Sequence, residues 1–139
     1  MRKNLLRLWI VPVLAAAAAK AQTTNLMKAE IPFAFAAGKQ MLPAGRYTVQ
    51  RGPAPGTVAI RSEDHKNAAI VLANDAYSVN GHETPKLVFH RFGSAYFLSE
   101  IWTPENNGKR LVPTSREREL AAQAAPPDST VVAAVRSAK

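Results

Sequence analysis

Between Met27 and Trp102 the chain is built from short runs in which apolar and polar positions alternate, the period-two signature of half-buried strands. From Met27 to Ala36, the residues Ala29, Ile31, Phe33 and Phe35 share one side, and Lys28, Glu30 and Pro32 share the other. Proline has no amide to give to a ladder, so Pro32 predicts that this strand lies at an edge. A turn-rich stretch, Gly38 to Gly45, leads into a strand over Arg46 to Arg51 with Tyr47 and Val49 on one face. Pro53 and Pro55, flanked by Gly52 and Gly56, mark a loop. Thr57 to Ser62 then carries Val58 and Ile60 inward. The charged cluster Glu63 to Asn67 forms a turn, and Ala68 to Asn74 returns with Ile70 and Leu72. The connection from Asp75 to Pro85 is longer, with a short strand around Tyr77 to Val79 and Asn80-Gly81 as a hairpin-type turn signal.

Lys86 to Trp102 reads as a hairpin whose two-residue turn is Gly93-Ser94. In a regular register, Arg91 faces Tyr96, Phe89 faces Leu98 and Leu87 faces Glu100, while His90 faces Phe97 and Val88 faces Ser99. Five of the nine aromatic residues after position 21 fall in this segment. Both of its faces are partly apolar, which predicts a central hairpin covered on both sides.

Beyond it, Leu111 and Val112 supply a last strand, and Thr114-Ser115-Arg116-Glu117 has the form of a capping box. The helix it opens continues through Leu120 to about Ala125 and stops at Pro126-Pro127. Residues 126–139 read as a tail that is a weakly ordered strand or has no order. The fold expected is mainly β: a small antiparallel sandwich or partly open barrel of about seven strands, with one C-terminal helix over an end or edge.

The first 21 residues stand apart from this pattern. Arg2, Lys3 and Arg7 precede an apolar stretch, Leu8 to Ala19, which closes on Ala19-Lys20-Ala21, the form of an export signal cleaved before Gln22. The stretch is shorter than the roughly 20 residues a spanning helix needs. The expected organisation is therefore a signal peptide at 1–21, one domain at 22–125 and the tail at 126–139, with no stable membrane span after cleavage. The charge picture changes with it. The whole chain of 139 residues carries +8, but the segment 1–21 holds four basic and no acidic residues. What remains has 14 basic and 10 acidic residues, a net charge of +4, too little to argue for a nucleic-acid partner.

Candidate chemistry is sparse. Without cysteine there is no disulfide, thiolate metal site, iron–sulfur cluster or cysteine nucleophile. His65, His82 and His90 lack ligand spacing, so no metal and no cofactor are expected. Glu63 and Asp64 are adjacent, which does not create a facing acid/base pair. Ser94 near His90 lacks an acidic orienter. The loop Gly52 to Gly56 lacks the lysine and the free amides of a phosphate loop. Lys109, Arg110, Arg116 and Arg118, interleaved with Glu117 and Glu119, read as a solvated helix face that balances its own charge. One grouping remains. In the regular register Arg91, Tyr96, Glu100 and Trp102 share a face, where a cation, a hydroxyl, a carboxylate and an indole are the makings of a small polar ligand site. The competing account is a cross-strand contact between Arg91 and Glu100 or Tyr96 that supports the sheet.

Several segments carry a resemblance: Leu42-Pro43-Ala44-Gly45-Arg46-Tyr47-Thr48-Val49, Ile60-Arg61-Ser62-Glu63-Asp64, Lys86 to Gly93, Tyr96 to Trp102 and Ser115 to Leu120. Together they resemble a group of short uncharacterised secreted proteins of soil bacteria, over roughly residues 27 to 122. The group has no assigned activity, so the resemblance implies export and a compact domain and transfers no site residue. The expectation is an exported, non-enzymatic binding or interaction module of the cell envelope, periplasmic or secreted, whose partner is a small polar ligand or an envelope protein. The alternatives are a small hydrolase or isomerase with a site in a barrel pocket, and a structural or adhesive component that pairs through the edge near Pro32.

Overall fold

The computed structural model describes residues 25–80, 84–103, 107–123 and 126–136. The expected signal peptide, its cleavage point, His82 and the glycine of the Asn80-Gly81 turn lie outside them. Ten strands and one helix follow in the order β1 Asn25–Ile31, β2 Phe35–Ala37, β3 Gln40–Leu42, β4 Gly45–Arg51, β5 Thr57–Ser62, β6 Ala68–Tyr77, β7 Lys86–Phe92, β8 Ala95–Trp102, β9 Asn107–Leu111, α1 Ser115–Gln123 and β10 Asp128–Arg136.

Eight of the strands close into an antiparallel barrel in the circular order β1, β4, β5, β6, β9, β8, β7, β10. The last link, β10 to β1, pairs Met27 with Arg136 and Ala29 with Ala134. Closure removes the edges an open sheet leaves exposed. It decides between the two β architectures in favour of the barrel. The small hairpin β2–β3 stands beside it, with Ala36 paired in parallel to Phe97 of β8.

Alternation along each strand sends one set of side chains into the barrel. Met27 and Ile31 of β1, Tyr47 and Val49 of β4, Val58 and Ile60 of β5, Leu87 and Phe89 of β7 and Ile101 of β8 are at most 2% exposed. Phe35 joins them from β2, edge-to-face with both Tyr47 and Phe89 at centroid distances of 5.2 and 5.4 Å. Aromatic and branched aliphatic side chains thus fill the interior.

Three expectations change here. The strand expected from Met27 to Ala36 breaks at Pro32, just beyond the end of β1, so β1 loses no ladder bond to the proline and runs between β10 and β4, not at an edge. The short strand near Tyr77 is the end of β6, paired at Tyr77 with Asn107 of β9. Residues 128–136 are a full barrel strand, β10, between β7 and β1. Its Ala/Val/Ser sequence buries little, and only Ala134 is fully covered. Its place follows from pairing on both sides.

The Gly93-Ser94 turn stands as expected. Gly93 has φ 61°, and Ser94 does not share the positive sign, as in a two-residue hairpin turn with glycine first. Arg91↔Tyr96, His90↔Phe97 and Phe89↔Leu98 are paired as the regular register requires. Past them the ladder shifts: Val88 pairs with Glu100 and Leu87 with Ile101, so Ser99 is an extra residue in β8. This is a β-bulge, and its cause is the spacing of Leu98 and Ile101. Three positions apart, they could not both face the core on a regular strand, and Glu100 would be turned into it instead. Burying an unpaired carboxylate costs on the order of several kcal/mol. The bulge places Leu98 and Ile101 inside at 3% and 0% exposure and leaves Glu100 outside.

Candidate functional site

The bulge divides the expected grouping of four. Arg91 and Tyr96 keep the inward parity at the Gly93 end of the hairpin, whereas Glu100 and Trp102 project from the outer wall. Each pair is occupied within the chain. The Arg91 guanidinium carbon lies 5.7 Å from the Tyr96 ring centre, and its Nε donates to the Gly93 carbonyl at 2.7 Å. Tyr96 stacks on Phe33, with centroids 3.9 Å apart and planes 15° from parallel. The cross-strand contact foreseen between Arg91 and Tyr96 is therefore the arrangement present; Arg91 and Glu100 do not face each other.

On the outer wall, Trp102 Nε1 donates to Glu100 Oε2 at 2.7 Å. Arg110 of β9, paired with Glu100, reaches Oε1 with Nη2 at 3.2 Å and with Nε at 3.3 Å. Both carboxylate oxygens are thus engaged. The Trp102 ring is buried against the backbone at Gly108, where a Cβ would stand 2.5 Å from the ring. Lys109 pairs with Asp75. Lys109 and Arg110 thus belong to β9 and to ion pairs there, not to a solvated helix face.

A polar row that the sequence reading missed runs beneath α1. His90 of β7 and the bulge residue Ser99 are neighbours on the outer wall, with Ser99 Oγ 3.2 Å from His90 Nε2. The opposite ring nitrogen, Nδ1, lies 3.3 Å from Glu117 Oε1. Glu117 is buried to 9% exposure at the third position of the helix. Thr114 Oγ1 accepts from the Glu117 amide at 3.3 Å, so one half of the capping box forms, while the Glu117 side chain is turned to His90. Leu120 completes the contact by packing on Phe92 and Phe97. Ser99, His90 and Glu117 stand in the order of a nucleophile, a base and an orienting acid. The bulge that creates the row was detectable in the break of alternation between Leu98 and Ile101. The 27-residue separation of His90 and Glu117 was not.

The remaining outer wall offers a different kind of feature. Across β4, β5 and β6, Gln50 pairs with Ala59 and Ala59 with Ile70, and in the adjacent row Thr48 pairs with Arg61 and Arg61 with Ala68. The small residues Ala59 and Ala68 leave an open depression of about 360 Å³ with Arg61 at its rim; Arg51 also borders it but pairs with the buried Val58 and so has the inward parity of Tyr47 and Val49. Ile70 and Leu72 stand beside it, 62% and 65% exposed, and Val112, whose amide donates to the Leu72 carbonyl, is 47% exposed. A second depression over β1, β4 and β10 is bounded by Lys28, Glu30, Arg46 and Glu63. There Arg46 lies 3.9 Å from each carboxylate, Glu30 and Glu63, so its charge is already balanced.

At the barrel end near Tyr47, Asp64 Oδ1 accepts from Ser62 Oγ at 2.6 Å and from the Lys66 amide at 3.0 Å. The hydrogen bond from Ser62, then that from Lys66, holds the Asp64 carboxyl below its ordinary range. Burial, then the Asp64 charge, pushes the Tyr47 phenol above its ordinary value. Its hydroxyl donates to the Pro43 carbonyl. These groups fix the β5–β6 turn, in which His65 has φ 61°. Among the described residues no three His, Asp or Glu side chains gather as metal ligands, and no helix is long and apolar enough to cross a membrane. No protein family, curated protein or solved structure matches this chain.

Proposed function

We propose that this chain is an exported, non-enzymatic interaction module of the cell envelope, periplasmic or secreted, that engages a partner protein through the outer wall of its barrel. The reading is supported by where the apolar surface lies. Met27, Phe35, Tyr47 and Phe89 occupy the interior a ligand would need, while Ile70, Leu72 and Val112 are left exposed outside. An exposed cluster of large apolar side chains costs solubility unless something covers it, and partner binding is the usual reason for one. A small polar ligand at Arg91, Tyr96, Glu100 and Trp102 is less well supported, because those side chains already satisfy one another.

Gel filtration of gently extracted envelope and medium fractions tests this reading. The chain should elute with a partner, above its own mass, and Leu72→Lys should return it to the monomer position without a change in thermal stability. Elution of the native chain as a monomer from every fraction would contradict it. Export is tested by intact mass: the exported form should begin at Gln22, and recovery of only the full-length chain in the inner membrane would overturn both cleavage and location.

The row Ser99, His90 and Glu117 favours a second reading, a small hydrolase whose site lies on the outer wall and not in a barrel pocket. The row docks α1 equally well, and Ser99 is only 7% exposed. A fluorophosphonate probe separates the two. Labelling of Ser99 that disappears with His90→Ala in folded protein would support the hydrolase, and no labelling would leave the row as a support for the helix.

A further inference from the structure

We propose that the depression across β4, β5 and β6 binds an acidic peptide segment of the partner, with Arg61 taking a carboxylate and Ile70 and Leu72 taking its apolar side chains. The inference rests on the reading of the outer wall as an interaction surface and names the chemistry of what covers it.

The charges carry the argument. Four of the acidic residues near exposed cations are already used: Glu30 and Glu63 by Arg46, Asp75 by Lys109, and Glu100 by Arg110. The Arg61 side chain, by contrast, has no ion pair or hydrogen bond among the described residues, and no acidic side chain lines the depression beside it. A guanidinium presents a planar fork of donors suited to a carboxylate, and beside apolar surface that pairing is less screened by water. Ala59 and Ala68 give the depression a low floor, so that a backbone can approach closely. Its volume, about 360 Å³, is near the lower end of ligand sites and open to solvent, which suits a few side chains of a longer segment.

Two other occupants fit less well. A second copy of this chain in a two-fold contact would set the same patch against itself and bring the Arg61 of each copy into one interface with no acidic side chain in the depression to receive it. A single-stranded nucleic acid would need aromatic platforms for its bases. The outward positions around the depression are Thr48, Gln50, Ala59, Arg61, Ala68 and Ile70, with no aromatic ring among them.

The test is fluorescence anisotropy with the intact mature chain and three labelled probes: a short peptide of glutamate and leucine, its lysine and leucine counterpart, and oligothymidylate. The glutamate peptide should bind at least about tenfold more tightly than either control, and added salt should weaken it. Arg61→Glu and Ile70→Lys should each reduce its affinity by about tenfold, in protein whose circular dichroism and melting are unchanged. Equal binding of oligothymidylate, tighter binding of the lysine peptide, no saturable binding of the glutamate peptide, or an affinity indifferent to Arg61→Glu would each overturn the proposal. If the glutamate peptide fails while Leu72→Lys still releases a native partner, the acidic chemistry is wrong and the interaction surface stands. If both fail, the surface reading falls too.

Discussion

Glu117 and His90 come from elements 27 positions apart and meet at 3.3 Å beneath the only helix among the described residues. This contact and the packing of Leu120 on Phe92 and Phe97 are what hold α1 to the barrel wall. Glu117→Ala should therefore loosen the helix and lower stability by about 1–2 kcal/mol, because it leaves a half-buried imidazole without its acceptor. Glu117→Gln, which keeps an acceptor, should cost less. Denaturant midpoints of the two variants, with amide exchange in α1 followed in each, check both the size and the place of the effect.

Gly93→Val should cost about 2 kcal/mol or more. No atom lies within 4 Å of where its Cβ would stand, so the loss comes from a backbone at φ 61° that a β-branched residue resists. Because this turn sets the register of β7 and β8, the thermal midpoint should fall with it. A midpoint equal to that of the parent would show that the strands choose their register without the turn.

Gly108→Ala acts by a different route. Its Cβ would press on the buried Trp102 ring, so the ring must leave its seat or β8 and β9 must separate locally, at about 1–3 kcal/mol. Tryptophan fluorescence should shift to the red as the indole meets water. An unchanged spectrum with unchanged stability would contradict the close approach.

The strands were legible where alternation is unbroken. Val58 and Ile60 read correctly as inward, and Tyr47 and Val49 as sharing one face, because each strand there is regular and one face is apolar. The Gly93 turn was legible from its residue type. The bulge at Ser99 left one trace, the broken alternation between Leu98 and Ile101, which a regular register passes over; the change of phase moved Glu100 and Trp102 away from Arg91 and Tyr96. β10 was obscured because its Val and Ala residues make a weak pattern by themselves, and its order comes from β1 and β7 on either side. Pro32 gave a correct local signal with the wrong consequence: it ends a strand inside the barrel. The arginine-rimmed depression was out of reach, because it depends on the two cross-strand pairings that align Ala59 with Ile70 and Arg61 with Ala68.

Stability should bend at both ends of the pH scale for separate reasons. The folded state holds the Asp64 carboxyl below its ordinary range, so its contribution is complete above about pH 4 and is lost as pH falls through the lower, folded value. Asp64→Asn should flatten that acid limb. The Tyr47 phenol is raised by burial, so folding favours its protonated form and stability falls as pH climbs above about 10. Tyr47→Phe should flatten the alkaline limb while costing about 1 kcal/mol at neutral pH for the lost hydrogen bond to the Pro43 carbonyl. Thermal melts across the pH range distinguish the two variants.

The central claim is that partners meet the outer wall at β6 and not the hairpin end at Tyr96. It is tested most directly by placing a photoreactive cross-linking residue at position 72 in one chain and at position 96 in another, and irradiating intact producing cells. Position 72 should give one discrete adduct that Arg61→Glu diminishes, and position 96 should give none. A discrete adduct from position 96 with none from position 72 would contradict the account.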